Sequence, residues 1–118
     1  MGETEPSTPP TELRVEVARD GSVAWVRPFG ELDIDSAHRV EAALEGLHEE
    51  GCSDIVLDLR GLTFVDSTGL RLVIRWDAAA REGEFRFAIV PGGEVVQRVF
   101  RLTGMDEYLT IAKPPPES

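Results

Sequence analysis

Cysteine, basic residues and long apolar runs are all scarce in this sequence. Cys52 is the single cysteine, which excludes an internal disulfide and a clustered thiolate metal site. The 118 residues carry 22 acidic and 12 basic side chains, a net charge of −10, so nucleic acid and anionic membranes are disfavoured as partners and a basic protein surface is favoured. No apolar run approaches the roughly 18 residues of a membrane span, and the opening MGETEPSTPP lacks the pattern of a signal peptide. We therefore expect a soluble cytoplasmic protein without metal or cofactor.

The length and composition predict one folded domain with a tail at each end. A chain of 118 residues with 42% apolar content can bury one compact core, and no second domain fits. Most of the eight prolines lie in the terminal segments EPSTPPT and KPPPES. We therefore predict mobile tails over residues 1–10 and 113–118, and a domain over residues 11–112.

The hydropathy pattern predicts an α/β fold with the element order β-β-α-β-α-β-α-β. Two segments that alternate at period two, LRVEVAR and SVAWVRPF, flank Asp20 and Gly21 and predict an antiparallel hairpin. Apolar residues at helical spacing predict helices that end near Gly51, Gly83 and Gly104. The segments DIVLDL, EFRFAIV and EYLTIA are short and apolar, as is typical of strands. Since crossover helices lay successive strands parallel, the sheet is predicted to be mixed.

The segment VDSTGL connects a buried strand to the second predicted helix. It offers three candidate capping residues in a row, Asp66, Ser67 and Thr68, followed by Gly69. In open α/β sheets, sites gather at the carboxyl ends of the strands, where this connection lies. Free N–H groups and the helix dipole favour negative charge there, so a phosphate on Ser67 or Thr68 could be held. From spacing alone, a plain capping cluster in which Gly69 permits close packing is the favoured interpretation.

The whole chain resembles the STAS domain, in particular the bacterial anti-sigma factor antagonists. The resemblance spans about residues 12–112 and rests on VDSTGL, on the hairpin before it, on GELD at residues 30–33, and on RVFRLTGMDEYLTI. It implies that the unphosphorylated protein binds an anti-sigma factor and thereby frees a sigma factor. It also implies that this partner, an ATP-dependent serine kinase, phosphorylates Ser67 and is then released, and that a phosphatase resets the switch. The protein would be a kinase substrate and not an enzyme.

Several residues around Ser67 have both a functional and a purely structural interpretation. Asp66 could orient Ser67 or contact the kinase, or it could only cap the helix. Arg71 stands where the family often has a second glycine, and at one helical turn from Ser67 it could pair with a phosphate or with the Asp66 carboxylate, or remain solvated. Glu31 and Asp33 could meet a basic partner surface, or serve only the turn and helix start. The family's final helix is predicted to be missing, because KPPPES cannot form one.

Three other functions are weighed against this switch. A STAS module could act without phosphorylation, as an accessory, a scaffold or a ligand-binding part of a signalling or transport complex. A small hydrolase is disfavoured because VDSTG lacks the first glycine of G-x-S-x-G, and because His38 and His48 are not well placed for a triad or a shared metal. Asp58 superficially resembles the phosphoacceptor of a receiver domain, but the only lysine, Lys113, lies in the predicted tail.

Overall fold

The computed structural model describes residues 13–113 of the chain. The predicted mobile tails at residues 1–10 and 113–118, apart from Lys113, and the predicted lack of a final helix lie outside this range. The elements in chain order are β1 (Arg14–Asp20), β2 (Val23–Leu32), α1 (Ala37–Glu49), β3 (Asp54–Asp58), β4 (Leu62–Val65), α2 (Ser67–Glu82), β5 (Arg86–Val90) and α3 (Glu94–Leu102). Short 3₁₀ turns follow β3 and α3, at Leu59–Gly61 and Met105–Glu107.

The strands form the predicted mixed sheet. β1 and β2 pair antiparallel, and the pairing of Asp20 with Val23 leaves Gly21 and Ser22 as the hairpin loop. Gly21 has φ of 64°, a left-handed conformation that glycine adopts without strain. β2, β3 and β5 then run parallel, which gives the order β1-β2-β3-β5. The helical crossovers account for the parallel pairings, as the element order predicts.

The long strand β2 changes its partner along its length. Its residues 23–26 pair with β3, whereas residues 30–32 pair with β4. The chain leaves β3 at Asp58, makes the first 3₁₀ turn, and runs beside β2 again. Gly30 lies at the register shift between the two pairings and has φ of 117°, which a residue with a side chain rarely adopts. Strand β4 is absent from the sequence prediction, because four residues carry little periodicity of their own.

The helices pack on one face of the sheet, here called the inner face. Its buried residues form one cluster across strands and helices, which includes Val26, Leu57, Ile89, Val40 and Val73. The opposite, outer face carries a separate small cluster of Trp25, Val56 and Val90, to which no helix of the described part of the chain contributes. None of the helices between residues 13 and 113 is long and apolar enough to cross a membrane.

The last predicted strand, EYLTIA, is reduced to a single parallel bridge between Ile89 and Ile111. The Ile89 N–H donates to the Thr110 carbonyl over 2.9 Å, and the Ala112 N–H donates to the Ile89 carbonyl over 2.8 Å. The second 3₁₀ turn takes up the start of the segment. Three prolines follow Lys113 and have no N–H for a further ladder bond. The segment is therefore too short to pair as a full strand.

Candidate functional site at the start of helix α2

Ser67 is the first residue of α2 and is exposed to solvent. It follows Asp66, whose N–H donates to the Leu32 carbonyl over 3.1 Å and so fixes the helix start beside the end of β2. β2 and β4 are parallel, so their carboxyl ends meet at this edge of the sheet. Ser67, whose hydroxyl is the predicted phosphorylation site, therefore lies at the helix N-terminus and is exposed to solvent.

The Asp66 carboxylate caps α2 and also holds a neighbouring loop. Its Oδ1 accepts hydrogen bonds from the N–H groups of Thr68, over 2.9 Å, and Gly69, over 3.1 Å. Its Oδ2 accepts from the N–H of Ile34 over 3.2 Å. Of the four N–H groups at the helix start, only that of Ser67 has no acceptor in the described part of the chain. One free donor and the helix dipole thus remain at Ser67 for an anion.

Gly69 lets the first turn of α2 pack closely against the sheet. A Cβ atom at this position would lie 2.7 Å from Cγ2 of Val65 and 2.8 Å from Cγ of Leu32. Both contacts are far inside van der Waals distance, and both neighbours are buried. Gly69 therefore determines how deeply the helix start is seated, which in turn sets where Ser67 is presented.

Asp33 organises the loop that enters α1. Its Oδ1 accepts from the N–H groups of Asp35, over 3.0 Å, and Ser36, over 3.1 Å. Ser36 Oγ–H donates to the Glu31 carbonyl over 2.7 Å, and Ser36 makes no capping bond to α1. Asp33 thus stabilises the loop that leads into α1. Glu31 is half-buried, and the Ile34 N–H of this loop is the group bonded to Asp66.

Arg71 borders a groove beside the start of α2. It is not paired with Asp66 in the described part of the chain, where the Asp66 oxygens accept from three backbone N–H groups. Arg71 is exposed and borders a groove of about 290 Å³ between α1 and α2, together with Thr68, His38 and Glu41. Helical spacing alone could not show that α1 forms the other wall of this groove.

Two exposed apolar residues next to Ser67 are missing from the sequence prediction. Ile34 is 73% exposed, and its backbone is bonded to Asp66. Phe64 is 42% exposed and lies on β4, three residues before Ser67. We call Ile34, Phe64 and Ser67 together the Ser67 surface. An isoleucine between two aspartates, in DID, is the only signal in the sequence that could have pointed to it.

The alternative sites do not form. Asp58 is only 3% exposed and forms an ion pair with Arg60 over 2.7 Å, so it is closed to a phosphate donor. Burial raises the pKa of the Asp58 carboxyl, but the hydrogen bonds and charge of Arg60 and the charge of Arg27 outweigh it and lower the pKa below its usual value. His48 packs on the ring of Phe85, with centroids 4.6 Å apart. Over residues 13–113, no group of acidic, histidine or cysteine side chains could hold a metal ion.

Comparisons with known proteins agree with this architecture. The family model described as "Mlab, STAS domain" matches residues 15–111. The anti-sigma-B factor antagonist of Staphylococcus aureus (strain NCTC 8325 / PS 47) is 25% identical over 99 residues, which cover 84% of this chain and 92% of that protein. The crystal structure of an anti-sigma factor antagonist from Mycobacterium paratuberculosis has a TM-score of 0.76 and 26% identity, covering 94% of this chain and 93% of that one. SpoIIAA in its unphosphorylated form has the same fold, with a TM-score of 0.69, 22% identity, and coverage of 85% and 89%.

Proposed function

Because this chain belongs to the STAS domain family, we propose that it is an anti-sigma factor antagonist controlled by phosphorylation at Ser67. In its unphosphorylated form it binds an anti-sigma factor and frees a sigma factor. The partner's ATP-dependent serine kinase activity phosphorylates Ser67, which releases the complex, and a phosphatase restores the hydroxyl. The observation that carries this proposal is an exposed serine hydroxyl on a rigid helix start.

The chemistry of the Ser67 surface supports a switch of this kind. In the unphosphorylated state, the neutral hydroxyl is exposed, and so are the apolar side chains of Ile34, whose backbone is bonded to Asp66, and of Phe64, on the strand that leads into α2. Such a surface favours docking of a protein, because burying apolar groups stabilises an interface. A phosphate adds about two negative charges and three acceptor oxygens, all of which lose water when the interface closes. Phosphorylation therefore opposes docking at the place where docking is favoured.

The same phosphate is compatible with the folded domain. It would stand at the positive end of the α2 dipole, with the Ser67 N–H available as a donor. Asp66 supplies the cap, Gly69 seats the helix, and Thr68 and Arg71 border the neighbouring groove. Glu31 and Asp33 contribute the acidic loop beside the site, which suits a basic partner surface. The switch thus acts on docking and leaves the fold intact.

In this proposal the chain is a binding protein and a kinase substrate, not an enzyme. Its role requires no cofactor of its own, because ATP is bound by the partner. The exchange takes place in the cytoplasm, where the sigma factor, the kinase and ATP are found together.

The test compares four versions of the protein in a pull-down with candidate anti-sigma factors. Wild type and Ser67→Ala are expected to bind, whereas Ser67→Glu is expected to lose binding and keep its melting temperature to within a few degrees. Thr68→Ala is the matched control, because it removes the adjacent hydroxyl and leaves Ser67 in place. A Ser67→Glu protein that still binds, or that unfolds at a much lower temperature, would contradict this mechanism.

A second measurement separates the switch from a STAS accessory or scaffold that is never phosphorylated. The protein is incubated with the anti-sigma factor and ATP, and the modified residue is mapped by mass spectrometry. Phosphate on Ser67 in the wild type and none in Ser67→Ala is the expected result. Stable partner binding without any phosphorylation would favour the accessory role.

A further inference from the structure

A pocket that is separate from the Ser67 surface lies on the outer face of the sheet. Its lining residues, none of which belongs to the Ser67 surface, are Arg27, Phe29, Asp58, Arg60 and Gly61. The pocket has a volume of about 260 Å³. A water molecule occupies about 30 Å³ in the liquid, so this pocket has room for a small molecule.

Asp58 and Arg60 satisfy each other within this pocket. The Asp58 Oδ1 accepts from the backbone N–H of Arg60, over 3.1 Å, and from its Nε, over 3.0 Å. The Asp58 Oδ2 accepts from Nη2 of Arg60 over 2.7 Å. This is a bidentate, charge-assisted pairing with a further backbone bond, which is the strong form of such contacts. The buried carboxylate thus has its partner in Arg60.

Arg27 has no comparable partner. Its Nε lies 3.8 Å from the Asp58 Oδ2, too far for a hydrogen bond, and that nitrogen is buried without an acceptor. The Arg27 side chain is only 27% exposed. Between residues 13 and 113, no hydrogen bond involves its guanidinium group. The Nε–H of this permanently charged group is thus a buried donor without an acceptor, which is costly, and the rest of the guanidinium has no acceptor among the described residues, so the group calls for an acceptor from outside the chain.

The charge and shape of the pocket suit an anion. The lining residues include two cations, Arg27 and Arg60, and one anion, Asp58. Their net charge is therefore +1, in a molecule whose net charge is −10. Phe29 forms an apolar wall that is held from two sides. The Arg14 guanidinium lies 4.4 Å from its ring centroid, and a Cβ on Gly61 would be 2.5 Å from its Cδ2. The wall therefore has little freedom to close over the cations.

We propose that this pocket binds a small oxyanion, a carboxylate or a phosphate group, through the guanidinium of Arg27. The planar fork of an arginine offers two parallel N–H donors, which match the two oxygens of such a group. Arg60 adds a second positive charge, and Phe29 packs against the non-polar part of the ligand. The site is independent of Ser67 phosphorylation and of the anti-sigma factor.

The test is an NMR titration of the ¹⁵N-labelled full chain with sodium phosphate and, separately, with sodium succinate, at constant ionic strength set by sodium chloride. Saturable shifts are expected at the Gly61 and Phe29 amides and at Arg27 Nε. Phosphate and succinate distinguish the two oxyanion chemistries. Shifts that rise linearly without saturation, or that map away from the pocket, would mean that only water occupies it and would overturn the proposal.

Two variants and a control connect binding to Arg27. Arg27→Gln is expected to weaken the affinity at least about tenfold, since it loses a charge-assisted contact. Arg27→Lys keeps the charge beside Asp58, and thus the local balance of the fold, but weakens binding because a lysine has no fork. Arg86→Gln is the matched control on the same sheet face, since Arg86 already bonds to Asp54 over 2.7 Å and its loss changes the net charge equally. Unchanged affinity in both Arg27 variants, or equal weakening in Arg86→Gln, refutes the site.

Discussion

Replacing Gly69 with alanine tests the packing that seats the start of α2, where Ser67 lies. The added Cβ would meet Cγ2 of Val65 at 2.7 Å and Cγ of Leu32 at 2.8 Å, and both of these side chains are buried in the core, where packing is dense. Overpacking of this kind costs about 1–3 kcal/mol. Alanine returns about 0.5–1 kcal/mol because it restricts the unfolded chain and favours the helix. The midpoints of these two ranges leave a net loss of about 1 kcal/mol.

Gly46 provides a matched control within the same protein. It also lies inside a helix, α1, but a Cβ there would meet no atom within 4 Å. Gly46→Ala should therefore gain up to about 1 kcal/mol from helix propensity. For a domain of this size, Gly69→Ala should lower the melting temperature by about 4–8 °C, and Gly46→Ala should raise it by about 4 °C.

Urea unfolding followed by circular dichroism measures both changes on the same scale. The Gly69→Ala protein should also be a poorer kinase substrate, because the displaced first turn presents Ser67 differently. The reasoning would be refuted if Gly69→Ala were as stable as wild type while Gly46→Ala was stabilised. That result would mean that Leu32 and Val65 yield without cost, so that close packing does not explain this glycine.

Two further predictions concern charge and docking. The pKa of Asp58 lies below its usual value in the folded protein, so its contribution to stability is present above pH about 4 and is lost as the pH falls through the folded pKa. Arg60→Gln removes most of the interactions that oppose burial, which brings the folded pKa of Asp58 up to or above its unfolded value. The loss of stability that Asp58 causes in wild type as the pH falls below about 4 should therefore shrink or reverse in this variant, as measured by urea unfolding across pH; superimposable profiles would contradict this. Ile34→Ser should weaken anti-sigma factor binding about tenfold or more without a change in melting temperature, if Ile34 is a buried anchor of the interface. Tyr108→Ser is the control, because Tyr108 is 64% exposed and its carbonyl accepts from Arg81 in the last turn of α2, at the other end of the helix from Ser67. Equal effects of both variants would argue against docking at the Ser67 surface.

The sequence predicted those parts of the candidate site that depend on contacts between residues close together in the chain. Asp66 as the cap and Ser67 as an exposed residue on the helix start follow from local capping rules, and both are present. For Arg71 the sequence left two alternatives open, pairing with Asp66 or a solvated side chain, and in the described part of the chain Arg71 is exposed and not paired with Asp66. A helix surface can bring two residues near each other, but backbone N–H groups compete for the same carboxylate. Only the positioned loop showed that Ile34 is one of those competitors.

The strand prediction was limited for a similar reason. The hairpin and the central strands have clear alternation or clear apolar runs, and they are confirmed. β4 and the reduced last strand differ from the prediction because strand formation depends on a partner. β4 exists since β2 extends beyond β3 and offers an unpaired edge there. The segment EYLTIA has the composition of a strand, but it is shortened by the 3₁₀ turn before it.

The order of most helices and strands, the hairpin, and a capped helix that begins with a serine can all be inferred from local sequence patterns. These features follow from periodicity, turn residues and caps, which act over a few neighbouring residues. Three features follow only from the folded arrangement: Ile34 bonds to Asp66 across 32 positions, Gly69 packs on two strands, and Arg27 lies beside Asp58 without a hydrogen bond. Such contacts depend on how segments distant in the chain are aligned, and register and packing fix that alignment only when the whole sheet and its helices come together.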